Sequence, residues 1–279
     1  MPRSIGRRSF GVALVGILWP WFALAGSKTP ESAVPVKATL PKKHGPIIIH
    51  ERHGSNTTSH NWSGYTVTGV NDSVSDVKGS WIVPAIQGDC STQNQYASFW
   101  VGIDGYNSNT VEQIGTDSDC QNGSPTYYAW YEFYPHFAYN IPLNIKPGDV
   151  VSAEVSYSGG KFTVAITDRR TGQTWSTTQK APNAKRSSAE WIIEAPYSGG
   201  ILPLANFGTV AFGQHYTNVP LTCDATIGPT SGPVGSAAFA ASLVEITMVA
   251  SDGTTVMSQS SALSKDATGF TDKWVSAGQ

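Results

Sequence analysis

Charge is scarce in this chain: only 14% of its 279 residues are Asp, Glu, Lys or Arg, against 40% hydrophobic. That balance supports one sizeable core, or at most two. Cysteine is nearly absent as well. The three cysteines (Cys90, Cys120, Cys223) contain no Cys-x-x-Cys pair, which argues against a zinc site or a redox dithiol. No segment carries the ten-residue 3.6 periodicity of an amphipathic helix. Familiar hydrolase signatures are missing too: there is no Gly-x-Ser-x-Gly elbow, no Asp-Thr-Gly or Asp-Ser-Gly pair and no His-Glu-x-x-His, and His50-Glu51-Arg52-His53 has the wrong spacing. Four of the six histidines (His44, His50, His53, His60) lie before residue 61, and His136 and His215 read as surface or loop residues. Serine-type, pepsin-type and zinc-type catalysis all lose ground.

The charge that is present is unevenly placed. Residues 1–60 hold eight Lys/Arg and two acids, leaving ten basic and eighteen acidic residues beyond. No basic stripe survives past residue 60, so nucleic acid is not an expected partner. Residues 1–25 read as an export signal: Arg3, Arg7 and Arg8, an apolar run from Phe10 to Leu24 interrupted by Pro20, then Ala23-Leu24-Ala25. The run is shorter than the ~20 apolar residues a membrane span needs, so no membrane association is expected once the signal is removed. Arg7-Arg8-Ser9-Phe10 loosely matches a twin-arginine signal. Residues 26–60, rich in Pro, Lys, His and Ser, read as a pro-segment whose basic charge opposes the acidic body, with a plain disordered linker as the alternative.

From Asn61 onward, short alternating or aromatic runs are broken by Gly, Asn, Asp and Pro: Gly64–Val70, Lys78–Val83, Ala97–Ile103, Thr126–Tyr134, Val150–Tyr157, Lys161–Ile166, Glu190–Ile193, Val210–Phe212 and Leu243–Val249. Many strands at that spacing predict an all-β domain over 61–279, an antiparallel sandwich or barrel. Cys90 and Cys120 both stand in Gly/Ser/Asn/Asp-rich stretches and are paired on that basis, with Cys223 left over.

Polar groups interrupt several of these strands. Alternation puts Glu190, Ile192 and Glu194 on one face with Trp191 and Ile193 on the other, Trp100 with Asp104, Gln113 with Val111, and Trp130 with Glu132 and Tyr134. Gathered on one sheet, these form a groove for an extended polymer, peptide or sugar. A sugar-cutting pair needs carboxylates roughly 5–9.5 Å apart. Glu190 and Glu194, four residues apart on a strand, stand about 13–14 Å apart, too far for such a pair.

Six ordered motifs together resemble the glutamic peptidases known as eqolisins, the scytalidoglutamic and aspergilloglutamic peptidase group. They are Asn61-Trp62-Ser63-Gly64-Tyr65, Trp81-Ile82-Val83-Pro84, Trp100-Val101-Gly102-Ile103-Asp104-Gly105, Gln113-Ile114-Gly115-Thr116-Asp117, Ala129-Trp130-Tyr131-Glu132-Phe133-Tyr134-Pro135 and Ala189-Glu190-Trp191-Ile192-Ile193-Glu194. The resemblance covers about four-fifths of the chain, from Asn61 on. It implies an all-β, antiparallel two-sheet β-sandwich of concanavalin-like or jelly-roll type that hydrolyses polypeptides in acid with no cofactor or metal, its catalytic glutamine at Gln113 and its catalytic glutamate at Glu194. It also implies that Trp100, Asp104, Asp117 and Glu132 line or support the site, with Trp130 and Tyr134 beside them. The chain departs from the family in a shorter loop between Asp104 and Gln113, in its cysteine positions, and in Ala195-Pro196 after the glutamate.

On this reading Glu194 activates water as a general base and Gln113 stabilises the oxyanion, while the basic leader lies on the acidic groove as an inhibitor. The expected product is a secreted or periplasmic acid endopeptidase, monomeric by default. Two other readings stand beside it: a non-catalytic carbohydrate-binding sandwich that uses the tryptophans for stacking, and an inactive relative serving as an interaction module.

Overall fold

The computed structural model describes Met1, residues 36–37, 42–90 and 93–278, and all but Met1 belong to one compact unit, Val34–Gln279. The export signal expected over 1–25, Met1 apart, and leader residues 26–35 and 38–41 lie outside the described residues.

Nineteen strands and one four-residue helix are described. In chain order they are β1 (Val36–Lys37), β2 (Ile49–His53), β3 (Asn56–Ser59), β4 (Trp62–Thr68), β5 (Val74–Ile82), β6 (Ser98–Ile103), β7 (Val111–Gln121), β8 (Ser124–Tyr134), β9 (Tyr139–Ile141), β10 (Val150–Ser158), β11 (Lys161–Asp168), β12 (Thr174–Gln179), β13 (Ser188–Glu194), β14 (Thr209–Gly213), α1 (Gln214–Thr217), β15 (Asp224–Ile227), β16 (Thr230–Pro233), β17 (Leu243–Val249), β18 (Val256–Ser260) and β19 (Gly269–Trp274). Each of the nine runs singled out in the sequence overlaps a strand, three of them overshooting an end by one or two residues.

One layer runs β17-β4-β13-β6-β7-β8-β9 and the other β12-β11-β10-β5, all antiparallel; β14, β18 and β19 link β17 to β5. Strand β3 pairs with β17 in parallel. That contact draws β2 and β3, from the stretch read as leader, into the sheet.

Strands β10 and β11 lie over β6 and β7, and the main core fills the space between them. Trp81, Phe99, Val101, Ile114, Tyr131, Phe162, Trp191, Ile193 and Phe212 all lie in it. A second apolar cluster covers the opposite face of the first layer, with Trp62, Trp100, Val111, Trp130 and Ile192. Both faces of β6, β7 and β13 are therefore buried, so the polar residues of β7 and β13 are buried as well. Cys90 and Cys120 form a disulfide, and Cys120 lies within strand β7 where the sequence suggested a loop; Cys223 is a buried free thiol. Closing a loop of that size stabilises the fold by roughly 3–4 kcal/mol in the chain-entropy model.

Candidate active site

Three rungs of the first layer build the site. Reading β13, β6, β7 and β8 in register, one rung is Glu194, Ser98, Asp117 and Tyr128; the next is Ile192, Trp100, Gly115 and Trp130; the third is Glu190, Gly102, Gln113 and Glu132. Successive rungs are two residues apart, so all twelve residues belong to one face. The glutamate and the glutamine stand on the outer rungs, with the tryptophans between. Glycine makes room for Trp100: a Cβ on Gly115 would lie 2.6 Å from Trp100 Cβ and would also collide with the Phe99 carbonyl, and one on Gly102 would lie 2.9 Å from the Trp100 ring.

Across this face lies the chain's own segment Lys42–Pro46. The Lys42 ammonium is buried, 2.5 Å from Asp117 Oδ2 and 2.7 Å from Asp119 Oδ2, between the rings of Tyr96 and Tyr128. Lys43 exchanges two backbone hydrogen bonds, each 2.9 Å, with Tyr197, adding a short antiparallel bridge just past Glu194. His44 stacks on Trp130 with ring centroids 3.6 Å apart; its Nδ1 and backbone N–H each lie 2.9 Å from Glu132 Oε2, and its Nε2 lies 3.6 Å from Asp117. The Gln113 amide donates to the His44 carbonyl. The next N–H, that of Gly45, donates to Glu194 Oε1 at 3.1 Å, while the Trp100 indole donates to Oε2 at 2.9 Å. One peptide bond, His44–Gly45, thus has its carbonyl on Gln113 and its nitrogen on Glu194.

The segment changes how these groups titrate. Burial opposes a charge on His44, but Asp117 and Glu132 outweigh it and hold the imidazole up to about 9. Lys42 is raised likewise, Asp117 and Asp119 overcoming burial. Burial favours a neutral Asp117, yet Lys42 and His44 keep it well below the usual carboxylate range. Asp119 and Glu132 are raised by burial, with Lys42 and His44 respectively opposing. Burial pushes Glu194 up to about 8 against the pull of His44.

The remaining expected residues take supporting places. Trp130 donates its indole N–H to Asp117 Oδ1 at 2.5 Å. Tyr134 is part-exposed, against Gly45 and below the Lys43 ammonium. Asp104 stands away from the Lys42–Pro46 contacts: with φ +75° it ends β6 and accepts backbone N–H groups of Lys185, Arg186 and Ser187, so it clamps the loop that leads into β13. Glu190 is fully buried beside Thr66 and raised well above the usual range by desolvation, an internal carboxyl and not a partner for Glu194. His136 and His215 are exposed, as expected. Asp119, Tyr96 and Tyr128 were not singled out in the sequence; Asp119 stands two residues past Asp117, and the period of two was the signal that places both on one face. Among the tryptophans offered for sugar stacking, Trp81 and Trp191 lie between the layers and Trp62 meets Trp100 edge-on, so packing accounts for them.

A β-sandwich whose buried rungs hold an extended peptide, with an amide at its carbonyl and a carboxyl at its nitrogen, has the makings of a peptide-bond hydrolase. Comparison with known proteins agrees. The Peptidase A4 family model matches residues 60–267. Aspergillopepsin-2 of Aspergillus niger is 32% identical over 225 residues, which span 71% of this chain and 77% of that protein. Among solved structures, aspergilloglutamic peptidase from Aspergillus niger is similar with a TM-score of 0.53 and 28% identity, covering 65% of this chain and 99% of that one. Scytalido-glutamic peptidase with a peptide-based transition-state analogue superposes with a TM-score of 0.62 at 24% identity, covering 77% and 98%. The chain belongs to the Peptidase A4 family, the glutamic peptidases, which are hydrolases acting on peptide bonds.

Proposed function

We propose that this protein is an exported acid endopeptidase, made in a latent form, in which Glu194 is the general base and Gln113 the oxyanion donor. The observation that carries the reading is the seating of the His44–Gly45 peptide, with Gln113 at its carbonyl and Glu194 at its nitrogen. A polypeptide substrate takes the same place. Ionised Glu194 removes a proton from the attacking water, the Gln113 NH2 donates to the developing oxyanion, and Glu194 returns the proton to the departing nitrogen. Gln113 Oε1 has no hydrogen-bond partner among the described residues, which leaves it able to orient that water. The indole of Trp100 holds Glu194 and favours its charged form.

Latency follows from the same contacts. With Lys42–Pro46 in place the groove is filled, and burial keeps Glu194 protonated at neutral pH, unable to act as a base. An uncovered glutamate titrates near ~4.3, so it ionises in mild acid once the segment has gone. Asp104, Asp117, Trp130, Glu132 and Tyr134 serve as supporting residues, and the protein works as a monomer with no cofactor. Export rests on the N-terminal sequence; no helix among the described residues is long and apolar enough to cross a membrane.

Digestion of a denatured protein substrate from pH 2 to 7, by wild type beside Glu194→Gln, tests the reading after acid pre-incubation of the full chain. Cleavage confined to acid and absent in the variant is expected. Undiminished cleavage by Glu194→Gln would overturn the assignment of the base. Gln113→Ala should lose ~10²–10³ in kcat, as for other oxyanion donors.

A further inference from the structure

We propose that the groove has a separate subsite for a cation, built from the Tyr134 and Phe137 rings and the Pro135 carbonyl. Through it the enzyme prefers polypeptides with lysine or arginine as the second residue on the N-terminal side of the bond it cuts. The inference rests on the peptidase reading above and adds the substrate class.

Lys43 of the chain's own segment marks the place. Counting back from the carbonyl that meets Gln113, His44 is the first residue and Lys43 the second. The Lys43 backbone is anchored by its paired hydrogen bonds with Tyr197, just past β13. Its side chain is received by the loop that follows β8, and β6 and β7 lie between those two strands. There the ammonium donates to Pro135 O at 3.0 Å and stands 5.0 Å from the centre of the Phe137 ring and 5.7 Å from that of Tyr134. Both distances fall within the ~6 Å at which the negative face of a ring attracts a cation.

Packing does not account for Phe137. It is 51% exposed and belongs to neither apolar cluster, yet its ring faces the Lys43 ammonium. Lys42, one residue earlier, is held in the opposite manner, buried against Asp117 and Asp119. Acid treats the two kinds of site differently. A carboxylate loses its attraction for a cation when it is protonated, whereas ring faces and a carbonyl keep theirs. The carboxyl that feels the Lys43 charge, Glu132, is raised by burial and engaged by His44. His136, on the same loop, is exposed with its backbone N–H on Phe133 O, and its protonation only opposes a cation. A cage without a carboxylate of its own therefore suits an enzyme working in acid, where lysine and arginine are always charged. Arginine fits it as well as lysine does, because its planar guanidinium stacks on aromatic faces.

The test uses the full chain after acid pre-incubation, with peptides built on a sequence that it cuts in the denatured substrate. The second residue before the cut is varied among lysine, glutamine and norleucine, which keeps an apolar stem without the charge. Lysine should exceed both others about fivefold in kcat/KM, mostly through KM, at pH 3 and pH 5 alike. In Phe137→Leu, which keeps an apolar side chain but no ring, the lysine-to-norleucine ratio should fall about twofold or more, and Phe137→Tyr should preserve it. Digestion of the denatured substrate by each variant shows that it is folded. Equal values for lysine and norleucine in wild type would mean that the cage serves only the chain's own Lys43. A ratio unchanged in Phe137→Leu, or lost between pH 5 and pH 3, would assign the preference to other groups. Each of these results defeats the inference and leaves the peptidase reading standing, whereas a preparation that cuts neither peptides nor denatured protein ends both.

Discussion

At the residue scale, the difference between Glu190 and Glu194 is one of partners. Both are fully buried carboxyls on the same face of β13. Glu190 Oε2 has no hydrogen-bond partner among the described residues, and burial, with Asp104 and Glu112 nearby, keeps the group neutral. Glu194 instead accepts from Trp100 and from a peptide N–H, which prepares it to hold charge. Trp100→Phe keeps the ring and removes that N–H donor. Since the indole bond lowers the Glu194 pKa, the variant should move the rising limb of the kcat/KM profile to higher pH, with little change in substrate KM. A pH series on wild type and variant reads this directly, and an unshifted limb would count against Trp100 as the positioning residue for Glu194.

At the element scale, β13 must arrive in register, because a slip of one residue would send Glu194 into the core and Ile193 into the groove. Asp104 secures that arrival by binding three consecutive N–H groups of residues 185–187 and the Ser187 hydroxyl. Asp104→Ala leaves two part-buried N–H groups and the buried N–H and hydroxyl of Ser187 without their acceptor and should cost about 3–5 kcal/mol, measured by denaturant unfolding. The Lys42–Pro46 segment has its own pH signature. Asp117 is lowered by Lys42 and His44, so its share in holding Lys42–Pro46 is fully present above its unperturbed value near 3.8 and is lost as pH falls through its depressed value. His44 is raised to about 9, so its share is present below ~6.5 and is lost as pH climbs toward 9. Covering of the groove by an uncleaved Glu194→Gln chain, read from limited proteolysis around Lys42–Lys43, should thus persist at pH 5 and weaken both near pH 3 and above pH 8.

At the scale of the whole molecule, two layers close over a core of large aromatic and branched side chains, and the disulfide ties the loop before β6 to the far end of β7. Replacing both Cys90 and Cys120 by serine should lower the unfolding free energy by about 2–4 kcal/mol with the active site intact, since Cys120 belongs to the main core and not to the apolar cluster on the groove face. Thermal unfolding with and without reductant, beside an activity assay, separates the two effects.

Much of this was legible in the sequence, because strand periodicity is local. Alternation alone puts Glu194 opposite Trp191 and Ile193, Trp130 with Glu132 and Tyr134, and the glutamine on the face of Val111, and the structure keeps each of these placements. Polar edge strands such as β12, Thr174–Gln179, were passed over because their alternation is of Thr, Ser and Gln and carries no apolar signal. Asp104 was expected in the groove, but its positive φ turns it out of the strand pattern to serve the loop behind. The sequence by itself determined which residues share a face and the opposite charges of residues 1–60 and 61–279; the pairing of Cys90 with Cys120, suggested there by loop composition, was decided by the fold, which puts Cys120 in β7. Only the tertiary structure decided which strands lie side by side. Register across β13, β6, β7 and β8 brings Glu194 and Gln113, 81 positions apart, to the two ends of one peptide bond, and the fold-back of Lys42–Pro46 supplies that bond. Those are contacts between distant segments, fixed by the burial of two faces at once, and no local pattern encodes them.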